Sequence, residues 1–369
     1  MTVEREIAGL VLPFVIGIAA ATYAGIPFHD HFFINASLSM TGVLICTAIF
    51  MTSAKTNDGM TRIIIAALAL SAGLFCGFNG KILSVSHTQG IFISKAAELG
   101  KEMQDIIDRI SFTDKTCNAI AKALITGERC DIRKDISEAF RLSGASHILA
   151  LSGLHLGIIY GVITKIFSIL GNTRQAIMAR SGMTIIFCGL YTMATGAGAS
   201  ITRAFLFILL AETARLTQRK SSTGQILFSA LLIQLTLSAS SIKSVGFQLS
   251  YAAMAGIAFV LPHMKAWWPG DIHHDDRFTR YMRKIWNAAA MSISCQLTTF
   301  PLAWIYFGTF PKHFLLTNLI ALPLTGAVIP SIICTIMLQS LGICPESVIQ
   351  MTEFLITSLV RSLKVIAGM

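Results

Sequence analysis

The feature that most limits how this chain can fold is a series of continuous apolar blocks, most of them near 20 residues long. Two of the clearest continuous runs extend from Ile201 to Ala211 and from Thr317 to Leu338. A helix of about 20 apolar residues crosses the roughly 30 Å hydrocarbon core of a bilayer. The runs show no period-two alternation, which excludes an outer-membrane β-barrel. The sequence therefore predicts a helical membrane protein.

The composition supports this class and excludes a soluble enzyme. Of the 369 residues, 54% are hydrophobic and 13% are charged, whereas about 25% of a soluble domain is charged. The blocks lie near 7–26, 32–51, 62–83, 145–170, 181–195, 200–216, 224–241, 246–267, 286–307, 314–341 and 346–367. We predict an all-α, polytopic transmembrane bundle of about ten to eleven segments, some of them broken or half-helices, with the first block retained as an anchor.

The distribution of basic residues predicts the topology. Short loops on one side hold Arg5, Lys55, Arg62, Arg174, Arg180, Arg215, Arg219, Lys220, Lys265, Arg277, Arg280, Arg283 and Lys284, whereas the other side holds Lys243 and Lys312. Cytoplasmic loops are enriched in Lys and Arg. We therefore expect a multi-pass protein of the cytoplasmic membrane with a cytoplasmic N-terminus. The last block carries Arg361 and Lys364, fits this pattern poorly, and is expected at the membrane interface.

The predicted division is an N-terminal transmembrane part over 1–83, an extracytoplasmic helical segment over 84–143 and a transmembrane channel domain over 144–369. In the middle segment, Asp114 is a candidate cap for a helix that ends at Gly127, and a third helix runs to Gly144. About 60 residues build only a small core, so we expect the segment to lie on the membrane or over a pore mouth. Cys117 and Cys130 are a candidate disulfide, with two free thiols as the default.

Polar residues inside the block that follows are the first candidate site. His147, Ser152 and His155 interrupt an apolar stretch, and intramembrane polar groups mark functional positions more often than soluble ones do. Alternatively, Ser152 bonds a backbone carbonyl and His155 is an interhelical donor. Gly153, Gly157 and Gly161 follow one another at four-residue spacing, which predicts a stripe for close helix packing.

A second candidate site is the stretch from Thr195 to Arg203, where two glycines divide two short apolar blocks. We expect a half-helix to begin near Ser200, so that free backbone N–H groups, hydroxyl groups and Arg203 converge on an anion such as phosphate. The alternative is an ordinary loop, with Arg203 reaching lipid headgroups.

Isolated amide and hydroxyl groups inside later blocks are further candidates for a pore lining, although interhelical hydrogen bonds explain them equally well. They are Gln248, Ser250, Gln296 and Asn318. The loop from Asp271 to Arg277 is read as solvated, and no cysteine or histidine cluster has metal-ligand spacing. We expect neither a metal nor a cofactor.

Five short stretches resemble the ordered motifs of the ComEC-type competence family. They are Ala123-Leu-Ile-Thr-Gly-Glu-Arg129, Phe140-Arg-Leu-Ser-Gly-Ala-Ser-His-Ile-Leu-Ala-Leu-Ser-Gly-Leu-His155, Ser200-Ile-Thr-Arg-Ala204, Gly246-Phe-Gln-Leu-Ser-Tyr-Ala252 and Asn318-Leu-Ile-Ala-Leu-Pro323. The resemblance covers about 120–330 and implies import of single-stranded DNA across the cytoplasmic membrane during natural transformation. Members of this family commonly carry an OB-like domain before the first of these motifs, and many end with a metallo-β-lactamase-like domain proposed to act as a nuclease. The stretch 84–119 is too short for an OB-like domain, and the chain carries no metallo-β-lactamase motif. We therefore expect a channel rather than an enzyme.

The resemblance implies single-stranded DNA and the lipid bilayer as partners, a DNA receptor outside and an ATPase or helicase inside as candidate partners, and leaves a homo-oligomer open. The chain has no Gly-x-x-x-x-Gly-Lys phosphate loop of its own, so a partner or a gradient would drive transport. Two alternatives remain. One is a small-solute or lipid transporter with an anion site at Arg203, and the other is an intramembrane serine hydrolase that uses Ser152 and His155.

Overall fold

In a computed structural model of the chain, the structure describes residues 2–23, 58–79, 89–171, 173–218, 221–268, 277–308 and 313–368. All regular elements in these ranges are helical, which confirms the all-α prediction. The α-helices are α1 Thr2–Tyr23, α2 Asp58–Asn79, α3 Gln89–Asp108, α4 Lys115–Ile125, α5 Lys134–Leu142, α6 Ser146–Leu149, α7 Gly153–Phe167, α8 Arg174–Ala194, α9 Ala199–Leu216, α10 Thr223–Leu237, α11 Val245–Ala255, α12 Leu261–Ala266, α13 Arg277–Phe307, α14 Phe314–Ser340 and α15 Glu346–Ala367. The predicted block 32–51 and the loop 271–276 lie outside the described residues.

Six helical stretches in the described ranges are long and apolar enough to cross a membrane. They are Glu6–Tyr23, Gly153–Leu170, Arg174–Ala194, Val245–Ala266, Arg277–Phe307 and Phe314–Ser340. Two shorter apolar helices are Ile63–Gly77 and Thr223–Leu237. The protein is therefore a polytopic helical bundle, with fewer full-length spans in the described ranges than the ten to eleven segments predicted.

The contacts divide the chain into two compact units, residues 1–88 with 220–258 and residues 89–219 with 259–369. In the first unit, α1 packs along α2. A Cβ atom on Gly17 would overlap the backbone of Leu70 and Leu74, so glycine is what permits this close approach. The division of the sequence at 83 and 143 stays a prediction.

In the second unit, the segment α3–α6 shares a hydrophobic core with the bundle instead of building one of its own. Ile120 and Phe140 are buried in the same cluster as Leu156 of α7, Ile329 of α14 and Leu359 of α15. A segment of this size cannot bury enough apolar surface alone. Its helices therefore pack against those of the bundle, and a position on the membrane or over a pore mouth stays a prediction.

The same segment extends along most of α14. Near the start of α14, the Thr317 hydroxyl donates to the Ser143 carbonyl at 2.6 Å. Near its end, the Gln339 amide lies 3.4 Å from the Arg109 carbonyl. The two contacts are about 33 Å apart along the helix at 1.5 Å per residue. The flank of α14 that meets this segment is thus covered by protein.

The helix boundaries of the segment follow the local signals in the sequence. Asp114 caps α4 by accepting the backbone N–H of Thr116 at 2.8 Å. Hydrogen bonding to Thr116 holds the pKa of Asp114 below its usual value. The turns after α4 and α5 place Gly127 at φ +83° and Gly144 at φ +82°. Only glycine adopts this left-handed conformation without strain, so both predicted helix ends are confirmed.

The candidate disulfide does not form. Cys117 and Cys130 are both free thiols. Cys117 lies in the first turn of α4, buried with its Sγ 3.7 Å from the Thr357 hydroxyl, whereas Cys130 is exposed in the loop beyond the helix.

Candidate functional site

Helices α7, α8 and α9 carry the two strongest candidate sites and meet at one end. α8 ends at Ala194, and the turn that follows has positive φ at Gly196 (79°) and Ala197 (49°) before α9 begins. This confirms the predicted helix break. A Cβ atom on Gly153, at the start of α7, would lie 3.3 Å from the Ala204 Cβ of α9. The start of α7 thus lies against the start of α9.

The polarity of α8 is inverted relative to a helix of a soluble protein. Its buried residues are Arg180, Ser181, Thr184, Cys188, Tyr191 and Thr192. Its exposed large apolar residues are Met178, Met183, Ile186, Phe187, Leu190 and Met193. A soluble helix buries its apolar stripe, whereas intramembrane polar residues face the bundle interior or a water-filled cavity. The inner face of α8 therefore brings polar side chains into a core that is otherwise apolar.

Ser152 and His155 form a cap at the start of α7, not a pair in the middle of a helix. The predicted block 145–170 is interrupted, because α6 ends at Leu149 and α7 begins at Gly153. The Ser152 backbone N–H donates to His155 Nδ1 at 3.3 Å, and the Ser152 Oγ lies 3.1 Å from the same nitrogen. His155 is 0% exposed, and its Nε2 atom has no hydrogen-bond partner among the described residues.

These contacts assign a chemical role to the buried imidazole. Because Nδ1 accepts the backbone N–H, the proton of the neutral ring lies on Nε2. The Nε2–H is therefore the hydrogen-bond donor that remains on the buried ring.

Arg203 is buried near the start of α9. It is 4% exposed, although the alternative interpretation placed it at lipid headgroups. Ser200, one turn earlier, is half-buried. The burial of a guanidinium group in the first turns of the helix, next to the start of α7, supports the interior location predicted from the sequence.

Sequence reasoning missed a buried carboxylate cluster that joins the three helices. Glu212 of α9 is 1% exposed and accepts hydrogen bonds from the Tyr160 hydroxyl of α7 at 2.6 Å and from the Ser181 hydroxyl of α8. The Arg215 guanidinium lies 3.7 Å away, one turn along α9. The sequence did offer one signal for this cluster, which is an acidic residue within an apolar helix. It could not identify the partners, because Tyr160 and Ser181 are 52 and 31 residues away from Glu212 in the sequence.

The remaining candidates of the second unit differ in their surroundings. His147 is exposed on α6, with its Nδ1 atom 3.2 Å from the Gly144 carbonyl oxygen. Gln296 is half-buried on α13. On α14, Asn318 Oδ1 and Thr325 Oγ1 are buried without a hydrogen-bond partner in the described part of the chain. Buried polar groups of this kind are normally hydrogen-bonded to water or to a polar ligand. This face of α14 therefore carries two groups that can bind such a partner.

Gln248 and Ser250 belong to the first unit. The Gln248 amide donates to the Ile242 carbonyl at 2.8 Å, so it contributes to the local turn before α11. Ser250 is half-buried.

The glycine stripe is not a single packing surface in the described residues. Gly153 approaches α9, but a Cβ atom on Gly157 or Gly161 would meet nothing within 4 Å, and both glycines are exposed. The packing prediction is corrected for these two positions because α7 turns this face outward. The described residues also contain no group of His, Cys, Asp or Glu side chains that could hold a metal ion.

Comparison with known proteins gives one family and one curated relative. The family model described as Competence protein matches residues 124–369. ComE operon protein 3 of Bacillus subtilis (strain 168) is 26% identical over 238 residues, which cover 63% of this chain. The match spans 28% of that relative's length. No solved structure matches the chain.

Proposed function

Because this chain belongs to the competence protein family, we propose that it forms a channel that carries single-stranded DNA across the cytoplasmic membrane. The family and the relative support a role in DNA uptake during competence. The observation that supports a channel is the inverted polarity of α8, which turns polar side chains inward and apolar side chains outward. A polyanion crosses a low-dielectric layer only along such a polar interior.

The proposed path begins where α7 and α9 meet. Arg203 supplies positive charge for phosphate groups, and its planar guanidinium can bind two oxygens at once. The His155 Nε2–H and the hydroxyl of Ser152 supply neutral donors nearby. Neutral donors bind a phosphate weakly enough for the strand to move on. Asn318 of α14, whose Oδ1 is buried without a partner among the described residues, is a further polar group of the second unit.

The orientation and the partners belong to the same proposal. The basic residues favour a cytoplasmic N-terminus, with segment 84–143 on the outer side. A receptor outside would deliver the strand, and an ATPase, a helicase or an ion gradient would supply the energy. Assembly of several copies around one path is an open variant of this proposal.

The test is import of labelled DNA into cells that carry variants of Arg203. Arg203→Ala and Arg203→Glu should abolish import, whereas Arg203→Lys should retain part of it because the charge remains and the planar fork is lost. Arg174→Ala is the matched control, because Arg174 is exposed at the start of α8. Membrane abundance is measured for each variant.

Two results would contradict the proposal at different levels. Normal import in a strain that lacks the protein would remove the channel function itself. Normal import by Arg203→Ala at normal abundance would remove only the role of Arg203.

The geometry does not support the hydrolase alternative. A nucleophilic serine needs a base that is free to accept its proton and a third group that orients the base. The Ser152 Oγ lies 3.1 Å from His155 Nδ1, but that nitrogen also accepts the Ser152 backbone N–H, and no described residue bonds Nε2 to orient the ring. Ser152→Ala should therefore leave much of the DNA import intact.

A further inference from the structure

Arg180 occupies an unexpected position on α8. The sequence places it in a short cytoplasmic loop, but α8 begins at Arg174, so Arg180 lies inside the helix. Its side chain faces inward with Ser181 and Thr184, and it is 7% exposed. A basic residue that was expected to mark the topology is thus part of the bundle interior.

The guanidinium of Arg180 has no protein partner in the described chain. No ion pair or side-chain hydrogen bond involves it, and its Nε atom is buried without a hydrogen-bond partner. Glu212, the buried acid of the same three helices, already accepts hydrogen bonds from Tyr160 and Ser181 and forms an ion pair with Arg215. A buried N–H donor without an acceptor is unfavourable, and an anion from outside the chain would satisfy the Nε–H and pair with the charge.

We propose that Arg180 binds a phosphate group of the transported strand and is a second anion contact on the path, beyond Arg203. This inference rests on the proposed function. At 1.5 Å per residue, Arg180 lies about 21 Å before the end of α8, and Arg203 lies about 6 Å after the start of α9. The two helices are antiparallel across a short turn, which separates the two arginines by about 15 Å along the hairpin.

The hydrogen bond between Ser181 and Glu212 supports this antiparallel register. Both residues lie about 20 Å from the turn, and their side chains are in contact. Arg180, next to Ser181, is therefore at the level of Glu212 and far from the level of Arg203. The two cations occupy different depths of the same group of helices.

The side of α8 on which Arg180 lies favours a strand over a lipid headgroup. An arginine that reaches lipid phosphates extends from the outer face of a helix. That face of α8 carries Met178, Met183 and Ile186, all exposed. Arg180 instead shares the inner, polar face. The occupant is therefore expected inside the bundle, where the proposed path runs.

The experiment measures binding of a fluorescein-labelled 20-nucleotide oligo(dT) to the full chain in nanodiscs of phosphatidylethanolamine and phosphatidylglycerol, at several salt concentrations. Arg180→Gln should raise Kd about tenfold or more, as expected for a lost charged hydrogen bond. It should also make the slope of log K against log salt less negative by about 0.7, the value for one phosphate contact of a single strand. Arg174→Gln, on the exposed part of the same helix, should change neither quantity.

A second variant separates binding from folding. Arg180→Met removes a guanidinium without a protein partner in the described chain and keeps a long side chain, so its Tm should equal or exceed that of the wild type while its oligonucleotide binding falls as in Arg180→Gln. If neither variant folds, the guanidinium is required for the structure and the inference is overturned.

The remaining outcomes are equally decisive. Unchanged Kd and slope in a folded Arg180→Gln variant would overturn the inference. If that variant binds DNA normally but loses cross-linking to a photoreactive phosphatidylglycerol, Arg180 holds a lipid and the strand assignment is overturned. If the wild type shows no salt-dependent binding at all, the proposed function itself has failed, whereas binding that depends on Arg203 but not on Arg180 defeats only this inference.

Discussion

The ammonium group of Lys364 lies 3.0 Å from the Asp135 carboxylate, which joins the last helix to the charged segment that precedes the bundle. The backbone N–H groups of Thr113 and Asp114 donate to Glu353 of the same helix. If segment 84–143 is outside, as predicted, this pairing accounts for the poor fit of the last block to the distribution of basic residues, because Lys364 contacts that segment. Helix α15 is not among the six described stretches that are apolar enough to cross a membrane.

We predict that this contact weakens in acid. The hydrogen bond from Lys364 holds the pKa of Asp135 below its usual value. A lowered carboxyl pKa stabilises the fold above the unfolded value of about 3.9, and the gain is lost as pH falls through the folded pKa. The protection of the α5 amides, expressed as the exchange rate relative to the intrinsic rate at the same pH, should therefore fall below about pH 4, and less so in Asp135→Asn. An equal fall in both proteins would contradict the prediction.

Cys130 is a natural reporter of topology. In a variant that keeps only this cysteine, a membrane-impermeant maleimide should label intact cells if segment 84–143 is outside, because Cys130 is exposed. A variant that keeps only the buried Cys117 is the control and should react only after denaturation. Labelling of Cys130 only after the cells are opened would invert the topology.

The labelling rate of Cys130 should also depend on Glu128. The hydrogen bond to the Glu128 carboxylate raises the pKa of the Cys130 thiol. Because the thiolate is the reactive form, Glu128→Gln should lower that pKa and speed labelling near pH 7. Initial rates as a function of pH, measured on the purified protein, provide the check. An identical profile in the two proteins would show that the carboxylate has no effect on the thiol.

The two glycines of α7 should respond differently to a larger side chain. Gly153→Leu would drive a side chain against Ala204, and overpacking of this kind costs about 1–3 kcal/mol. Gly157→Leu meets open space and should leave folded protein in the membrane at the wild-type level. The fraction of monodisperse protein after extraction in mild detergent distinguishes the two. Loss of both variants would restore the stripe as one packing surface.

The Glu212 cluster should behave as a coupled unit. Tyr160→Phe removes one donor and should lower stability by about 1 kcal/mol. Glu212→Leu leaves two hydroxyls without their acceptor and should cost about 3 kcal/mol. In the double variant the effects should not add, because the Tyr160 hydroxyl has no carboxylate left to bond. Thermal unfolding in nanodiscs measures all three variants, and additive losses would exclude the coupling.

The sequence alone determined the features that depend on local chemistry. Apolar blocks near 20 residues long predict membrane-spanning helices, because a helix of that length crosses the hydrocarbon core of a bilayer. The cap at Asp114, the glycine turns at Gly127 and Gly144, and the helix break after Ala194 all follow from residues within one or two turns of each boundary. These expectations match the structure because backbone hydrogen bonding and φ preferences act over a few residues.

The tertiary structure alone decided which faces meet. The periodicity of α7 shows that Gly153 and Gly157 share a stripe, but only packing reveals that one glycine contacts α9 and the other is exposed. In the same way, the sequence predicted Arg180 in a short loop, but α8 includes this residue and its side chain is buried. Burial is a property of what the other helices cover, and contacts between residues distant in sequence carry no local signal.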